Sequence, residues 1–310
     1  MSRRRTVGRG ATAAAAAVAL LLGACGGSGS SGPAGGTDDG GSGAAVADPR
    51  TAATDLGPQG RVPQFVVECG FSHAAPDDPI VHPDHPGRAH LHTFFGNTVV
   101  DASTTAADLA SGTTTCDQPL DRASYWAPAL LDRGRPVEPT RAVAYYRPGV
   151  GVDPTTVEPY PFGLAMLGGD QTADEPQPLD VVAWTCGTSP AREAVPPDCP
   201  DGRPLRLLVS FPDCWDGEHL DSGDHTSHVA RSAGGVCPAS HPVPVPQLLL
   251  AIEYPPVGPA RGLSLASGSL LTGHADFLNG WDEDKLATEV ASCLHRRVTC
   301  GVVGNGDRRA

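Results

Sequence analysis

Proline limits what this chain can build. Its 310 residues include 31 prolines, scattered throughout, beside 38 glycines. A proline inside a helix removes a backbone hydrogen bond and clashes with the preceding turn, so long helices are excluded over most of the length. Between the breakers lie short apolar runs: Gln64–Val67, Ala142–Tyr146, Val181–Trp184, Leu205–Ser210 and Leu248–Tyr254. Short strands separated by Gly/Pro/Asp-rich loops are the pattern of sandwiches and barrels. One helix is predicted near the end, capped by Asp282, with Leu286, Val290 and Cys293/Leu294 on one face. The expected fold is mainly β: a single disulfide-rich, β-sandwich-like domain with long loops and a short C-terminal helix.

The N-terminal 60 residues follow different rules. Arg3, Arg4, Arg5 and Arg9 precede an apolar run, Ala11–Leu22, about half the roughly 20 residues a membrane span needs. The run ends in Leu22-Gly23-Ala24-Cys25, which resembles a bacterial lipobox, the signal in which the cysteine is acylated and becomes the mature N-terminus. The other reading is an ordinary signal peptide with an incidental cysteine. Residues 25–60 are rich in Gly, Ser and Ala and almost without large apolar side chains. Such a segment cannot bury enough surface to offset its ordering entropy, and is expected to act as a tether on the order of 30 Å end to end. The expected organisation is a lipoprotein signal peptide at 1–24, a flexible tether at 25–60, a globular domain at 61–302 and a disordered tail at 303–310. This places the protein outside the cytoplasm, anchored to the membrane by its N-terminal lipid alone.

Charge and cysteine content agree with export. The formal net charge is −13, and loss of the leader's four arginines makes the remainder more negative still. Nucleic-acid binding is disfavoured, because basic patches supply its affinity; cation binding is not. Removing Cys25 leaves eight cysteines, which in an oxidising compartment read as four disulfides. Eight cysteines admit roughly a hundred pairings. Pairing of sequence neighbours would join Cys69 to Cys116, Cys186 to Cys199, Cys214 to Cys237 and Cys293 to Cys300. No Cys-x-x-Cys pair points to a thiolate metal site.

The chemistry-bearing residues are histidines and aspartates in three groups. His90 and His92 are two apart, so on a strand both face the same way and can reach one ion. Alternatively, their rings bond a polar loop beside Phe94 and Phe95. His225 and His228 follow Asp221 and Asp224, which are either metal ligands, acceptors that fix an imidazole tautomer, or parts of a capped turn. His274 and Asp276 share a parity just before an Asn279-Gly280 turn. His241, in a Pro-rich loop closed by Cys237, and His73, His82, His85, His219 and His295 are weaker candidates. Trp126, Trp184, Trp215 and Trp281 are core residues or, where they border the acidic loops, platforms for sugar rings. No phosphate loop, His-Glu-x-x-His helix or Gly-x-Ser-x-Gly elbow is present.

Taken in order, these signatures form a set. His90-x-His92-x-Phe-Phe-Gly-Asn97 is followed by Ser124-Tyr-Trp-x-Pro128, Tyr145-Tyr146, Pro161-Phe-Gly-Leu164 and Trp184-x-Cys186. Then come Phe211-Pro-x-Cys-Trp-Asp-Gly217, Asp221-Ser-x-Asp-His-x-Ser-His228, Cys237-Pro-x-x-His-Pro242 and Gly273-His-Ala-Asp-Phe-x-Asn-Gly-Trp-Asp282. The set resembles the DUF1996 family of secreted bacterial and fungal proteins over roughly residues 63–300. The resemblance assigns no catalytic residue. It implies an extracellular setting, with cell-wall or other extracellular polysaccharide as a partner.

The leading expectation is a cell-surface β domain whose His90, His92, His225, His228 and His274 converge on a divalent transition metal. Asp224 and Asp276 would assist proton transfer as catalytic groups. Imidazole and carboxylate donors suit zinc, copper or iron better than calcium. One alternative is a metal-independent, glycan-cleaving enzyme using a carboxylate/His pair drawn from Asp216, Asp221, Asp224, Asp276 and Asp282. The other is a non-catalytic cell-surface binding protein.

Overall fold

The apolar runs pair edge to edge. The computed structural model of the chain describes residues 62–257 and 260–302; the expected leader, tether and tail lie outside them. Ten strands form the main sheet: β1 (Gln64–Ala75), β2 (His92–Gly96), β3 (Ser124–Pro128), β4 (Arg141–Arg147), β5 (Ala165–Gly169), β6 (Val182–Cys186), β7 (Leu205–Ser210), β8 (Gln247–Tyr254), β9 (His274–Leu278) and β10 (Thr299–Val302). Their order is β5-β9-β3-β2-β1-β4-β8-β7-β6, all antiparallel, with β10 parallel to the start of β1. β1 is long enough to serve both halves: it pairs with β4 through Phe65–Gly70, then with β2 from Phe71 to Ala75, across an irregularity between Phe71 and His73.

The sheet curls until it is nearly closed. At the closure, backbone approaches side chain so closely that only glycine fits. A Cβ on Gly168 would lie 2.9 Å from Val209, and one on Gly273 2.7 Å from Val182. Inside the curl, Phe65, Tyr125, Tyr146, Trp184, Phe211, Tyr254, Phe277 and Trp281 fill the main core. Trp126, Trp184 and Trp281 are fully buried, and Trp215 only partly.

The strands β2, β3, β5 and β9 are buried on both faces, which gives this half of the sheet a second, smaller core on its outer side. Directly paired residues of an antiparallel sheet share a face. Phe94 lies opposite Trp126, Trp126 opposite Asp276, and Asp276 opposite Leu167. Phe94, Trp126, Ala165 and Leu278 pack here with Ile80, Val100 and Leu109, which arrive from the connections that cover the face.

Four disulfides brace the loops: Cys69–Cys116, Cys186–Cys199, Cys214–Cys237 and Cys293–Cys300. Each joins neighbours in the cysteine order, so each closes a short stretch of chain. The C-terminal helix runs Glu283–Glu289, with the Asp282 side chain accepting from the Lys285 N–H. It then widens into a π-helical turn, Val290–His295, which still buries Val290, Cys293 and Leu294.

Candidate metal centre

Strand parity brings the outer-face histidines together. His92 opens β2 and His274 opens β9, while His90 precedes β2 by two residues. The His90 and His92 ring centroids are 4.2 Å apart, His90 and His274 5.0 Å, and His92 and His274 5.9 Å. One ligand atom from each of the three lies within 4.8 Å of the others. Asp276 follows His274 on the same face. With Asp78, from the connection between β1 and β2, it forms a second grouping around His92, again within 4.8 Å. A third grouping, Cys69, Cys116 and Asp121, offers no thiolate because both sulfurs are in a disulfide.

The hydrogen bonds decide which nitrogen each ring presents. His92 Nδ1 is 2.9 Å from the Asp77 carbonyl and His274 Nδ1 is 2.8 Å from the Thr272 carbonyl. A carbonyl only accepts, so both Nδ1 atoms carry the proton and both Nε2 atoms carry a lone pair. Holding one ring nitrogen on a backbone carbonyl is the usual way a protein aims a metal-ligating histidine. Among the described residues, His92 Nε2, His90 Nε2 and Asp276 Oδ2 are buried with no partner. Buried polar atoms without partners are costly, and here three of them gather in one place.

The electrostatics suit imidazoles that ligate a cation. Burial lowers the His90 pKa to about 4, with His274 and His82 adding to the effect. Burial likewise holds His92 well below the ordinary histidine value, helped by His90 and His274. Burial lowers His274 as well, against the opposing bond to Thr272. All three are therefore neutral at pH 7, the form that ligates metals. Asp276 is pushed well above the usual carboxylate range by burial and then by the neighbouring Asp78. Burial raises Asp78 too, although the Val81 and Ile80 amides and the nearby His82 and His225 oppose this.

The cluster opens into a cleft of about 280 Å³ lined by Asp78, Asp170, Asp224, Thr226, His274 and Asp276, among others. Asp224 sits on this wall with one carboxylate oxygen accepting from the Ser227 and Thr226 amides and the Ser222 and Ser227 hydroxyls. The Ser227 amide, then the Ser222 hydroxyl, hold it well below the usual range. The cleft thus brings together two carboxyl groups pushed in opposite directions, Asp224 downward by its hydrogen bonds and Asp276 upward by burial.

The five expected histidines do not all converge. His225 belongs to neither ligand grouping; its Nδ1 is 3.0 Å from Asp221, and its backbone is left-handed at φ 60°. His228 is buried with both nitrogens engaged, Nε2 to the Ala165 carbonyl at 2.7 Å and Nδ1 to Ser222 at 3.0 Å. Asp221-Ser-Gly-Asp224 is a turn that binds its own backbone and the His225 ring. His241 spans Ser240 and the Ser227 carbonyl, and His73 stacks on Phe94. Sequence reasoning overlooked Asp78 and Asp170 and ranked His82 low, yet His82 is close enough to act on His90, His92 and Asp78. The only signal available was that Asp78 and His82 lie shortly before the His90/His92 pair.

Fold and site together define a disulfide-braced, nearly closed β sheet that carries a buried His/Asp cluster on its outer face. The chain belongs to the DUF1996 family, described as a domain of unknown function, whose model matches residues 78–281. The matched stretch begins at Asp78 and takes in every member of the cluster. No curated protein and no solved structure matches the chain.

Proposed function

We propose that this is an exported, lipid-anchored protein of the extracytoplasmic face that binds a divalent transition metal through His90, His92 and His274, beside Asp276. The observation that carries the reading is the convergence of three neutral imidazoles, two of them with Nδ1 tied to backbone carbonyls and the Nε2 lone pair left free to ligate. Three imidazoles leave a coordination position for water or a substrate oxygen, as catalytic zinc sites do. The cleft beside them gives a polar ligand access. Export is supported by the four disulfides, and among the described residues no helix is long and apolar enough to cross a membrane. Extracellular polysaccharide is the partner class that this setting suggests.

Metal content of the untagged, oxidised chain, measured by mass spectrometry, tests the proposal. The wild type should retain at least one equivalent of zinc, copper or iron, and a His90→Ala/His92→Ala variant should lose it. Failure of the folded wild type to take up any of these metals would refute it. A second reading then gains weight. Asp276 and Asp224 line one cleft with pKa values shifted in opposite directions, the kind of difference an acid/base pair needs for cleaving a glycosidic bond.

A further inference from the structure

The donor atoms of the centre do not form a single ligand shell. His90, His92 and His274 are one set; Asp78, His92 and Asp276 are another; the two share His92 alone. A tetrahedral ion with ligands at about 2.0–2.2 Å takes four donors, each roughly 3.3–3.6 Å from the others. Five donors divided between two sets exceed that shell. His92 cannot serve both sets, because its Nδ1 proton is held by the Asp77 carbonyl and leaves one lone pair.

The two carboxyl groups then need an explanation of their own. Asp276 is 1% exposed and its Oδ2 has no partner among the described residues. Asp78 is 5% exposed; its Oδ1 accepts from the Ile80 amide at 3.0 Å and the Val81 amide at 2.9 Å, which leaves Oδ2 to face elsewhere. The neighbour electrostatically closest in effect to Asp276 is another acid, Asp78. Two buried carboxyls side by side, one with an unpaired buried oxygen, are costly unless a cation compensates them.

We propose that the centre is binuclear: the three imidazoles hold one divalent ion, and Asp78 and Asp276 hold a second, completed by water from the cleft. This rests on the metal reading above. Donor chemistry separates the two positions, since imidazoles favour zinc or copper and carboxylates with water favour a harder ion such as manganese or magnesium. A pair of ions held side by side in this way would supply Lewis-acid stabilisation to an attacking and a leaving oxygen, so the substrate class that fits is a hydrolysable oxygen ester.

The test uses the full oxidised chain, stripped with chelator, saturated with zinc and then manganese, and counted by mass spectrometry after desalting. The expected result is two ions per chain in the wild type and one in Asp78→Asn. Asparagine keeps an oxygen for the Ile80 and Val81 amides, and retention of the first ion reports that the variant is folded. Crystals of the loaded wild type should show two anomalous peaks. One ion per chain in both proteins, with one peak, overturns the binuclear centre and leaves the mononuclear reading standing. No ion in either protein overturns both.

Discussion

Asp121 is the residue whose replacement should change the pH dependence of folding most cleanly. It is fully buried. One oxygen accepts from the Ala123 amide at 3.0 Å and the other from the Tyr125 hydroxyl at 2.7 Å. Tyr125 bonds in turn to Tyr146, which accepts from the Trp281 indole at 3.0 Å. Burial overrides these donors and pushes the carboxyl from 3.8 up to about 7. A raised acid keeps its proton longer folded than unfolded, so its contribution is fully present below pH 3.8 and is lost as pH rises through about 7. Three pH units at about 1.4 kcal/mol each make a loss of about 4 kcal/mol between those limits. Asparagine does not titrate and still accepts from Ala123. The stability of the wild type minus that of Asp121→Asn should therefore fall by about 4 kcal/mol from pH 4 to pH 8, measured by guanidinium unfolding of the oxidised proteins. Parallel pH profiles for the two proteins would show that Asp121 ionises in the folded state like an exposed carboxylate, and would refute the reasoning.

Other outcomes follow from the site itself. Zinc at about a thousand times its Kd should stabilise the protein by about 4 kcal/mol, which for a domain this size is a rise in melting temperature of about 8–16 °C; His92→Ala should show no such rise in the same thermal scan with and without chelator. His90, lowered to about 4, should remain neutral through pH 5 in the metal-free protein when its ring is followed by NMR. Because its folded pKa lies below the unfolded value, its stabilising contribution is full above about pH 6.5 and is lost as pH falls toward 4. A midpoint near 6.5 would remove the argument for a desolvated imidazole. His228→Ala should cost about 2–3 kcal/mol by leaving the Ala165 carbonyl unpaired while metal content stays at the wild-type level; loss of metal would make His228 part of the centre after all.

The sequence made the inner architecture more legible than the outer face. The strands β1, β4, β7 and β8 each contain one of the apolar runs read directly from the chain, and β6 takes up all but the first residue of another. Of the five without such a run, four lie side by side in the sheet: His92–Gly96, Ser124–Pro128, Ala165–Gly169 and His274–Leu278. They are mostly buried on both faces, but the outer positions hold His92, His274 and Asp276 where an ordinary strand would hold valine or leucine. Polar residues at buried positions break the hydrophobic pattern, and the site thereby hides the elements that carry it. Spacing survived where pattern failed. Successive side chains on a strand alternate faces whatever their chemistry, so two-residue spacing puts His90 with His92 and His274 with Asp276 once the segments are extended. Three-residue spacing in a turn carries no such constraint, and His225 went to Asp221 while His228 went to Ser222 and the distant Ala165 carbonyl. Asp78 and His82 reach the cluster through a loop, where no period links sequence to direction. Strand spacing therefore anticipated that His90 would lie with His92 and His274 with Asp276 in the His/Asp cluster, whereas the loop-borne Asp78 required three-dimensional structure.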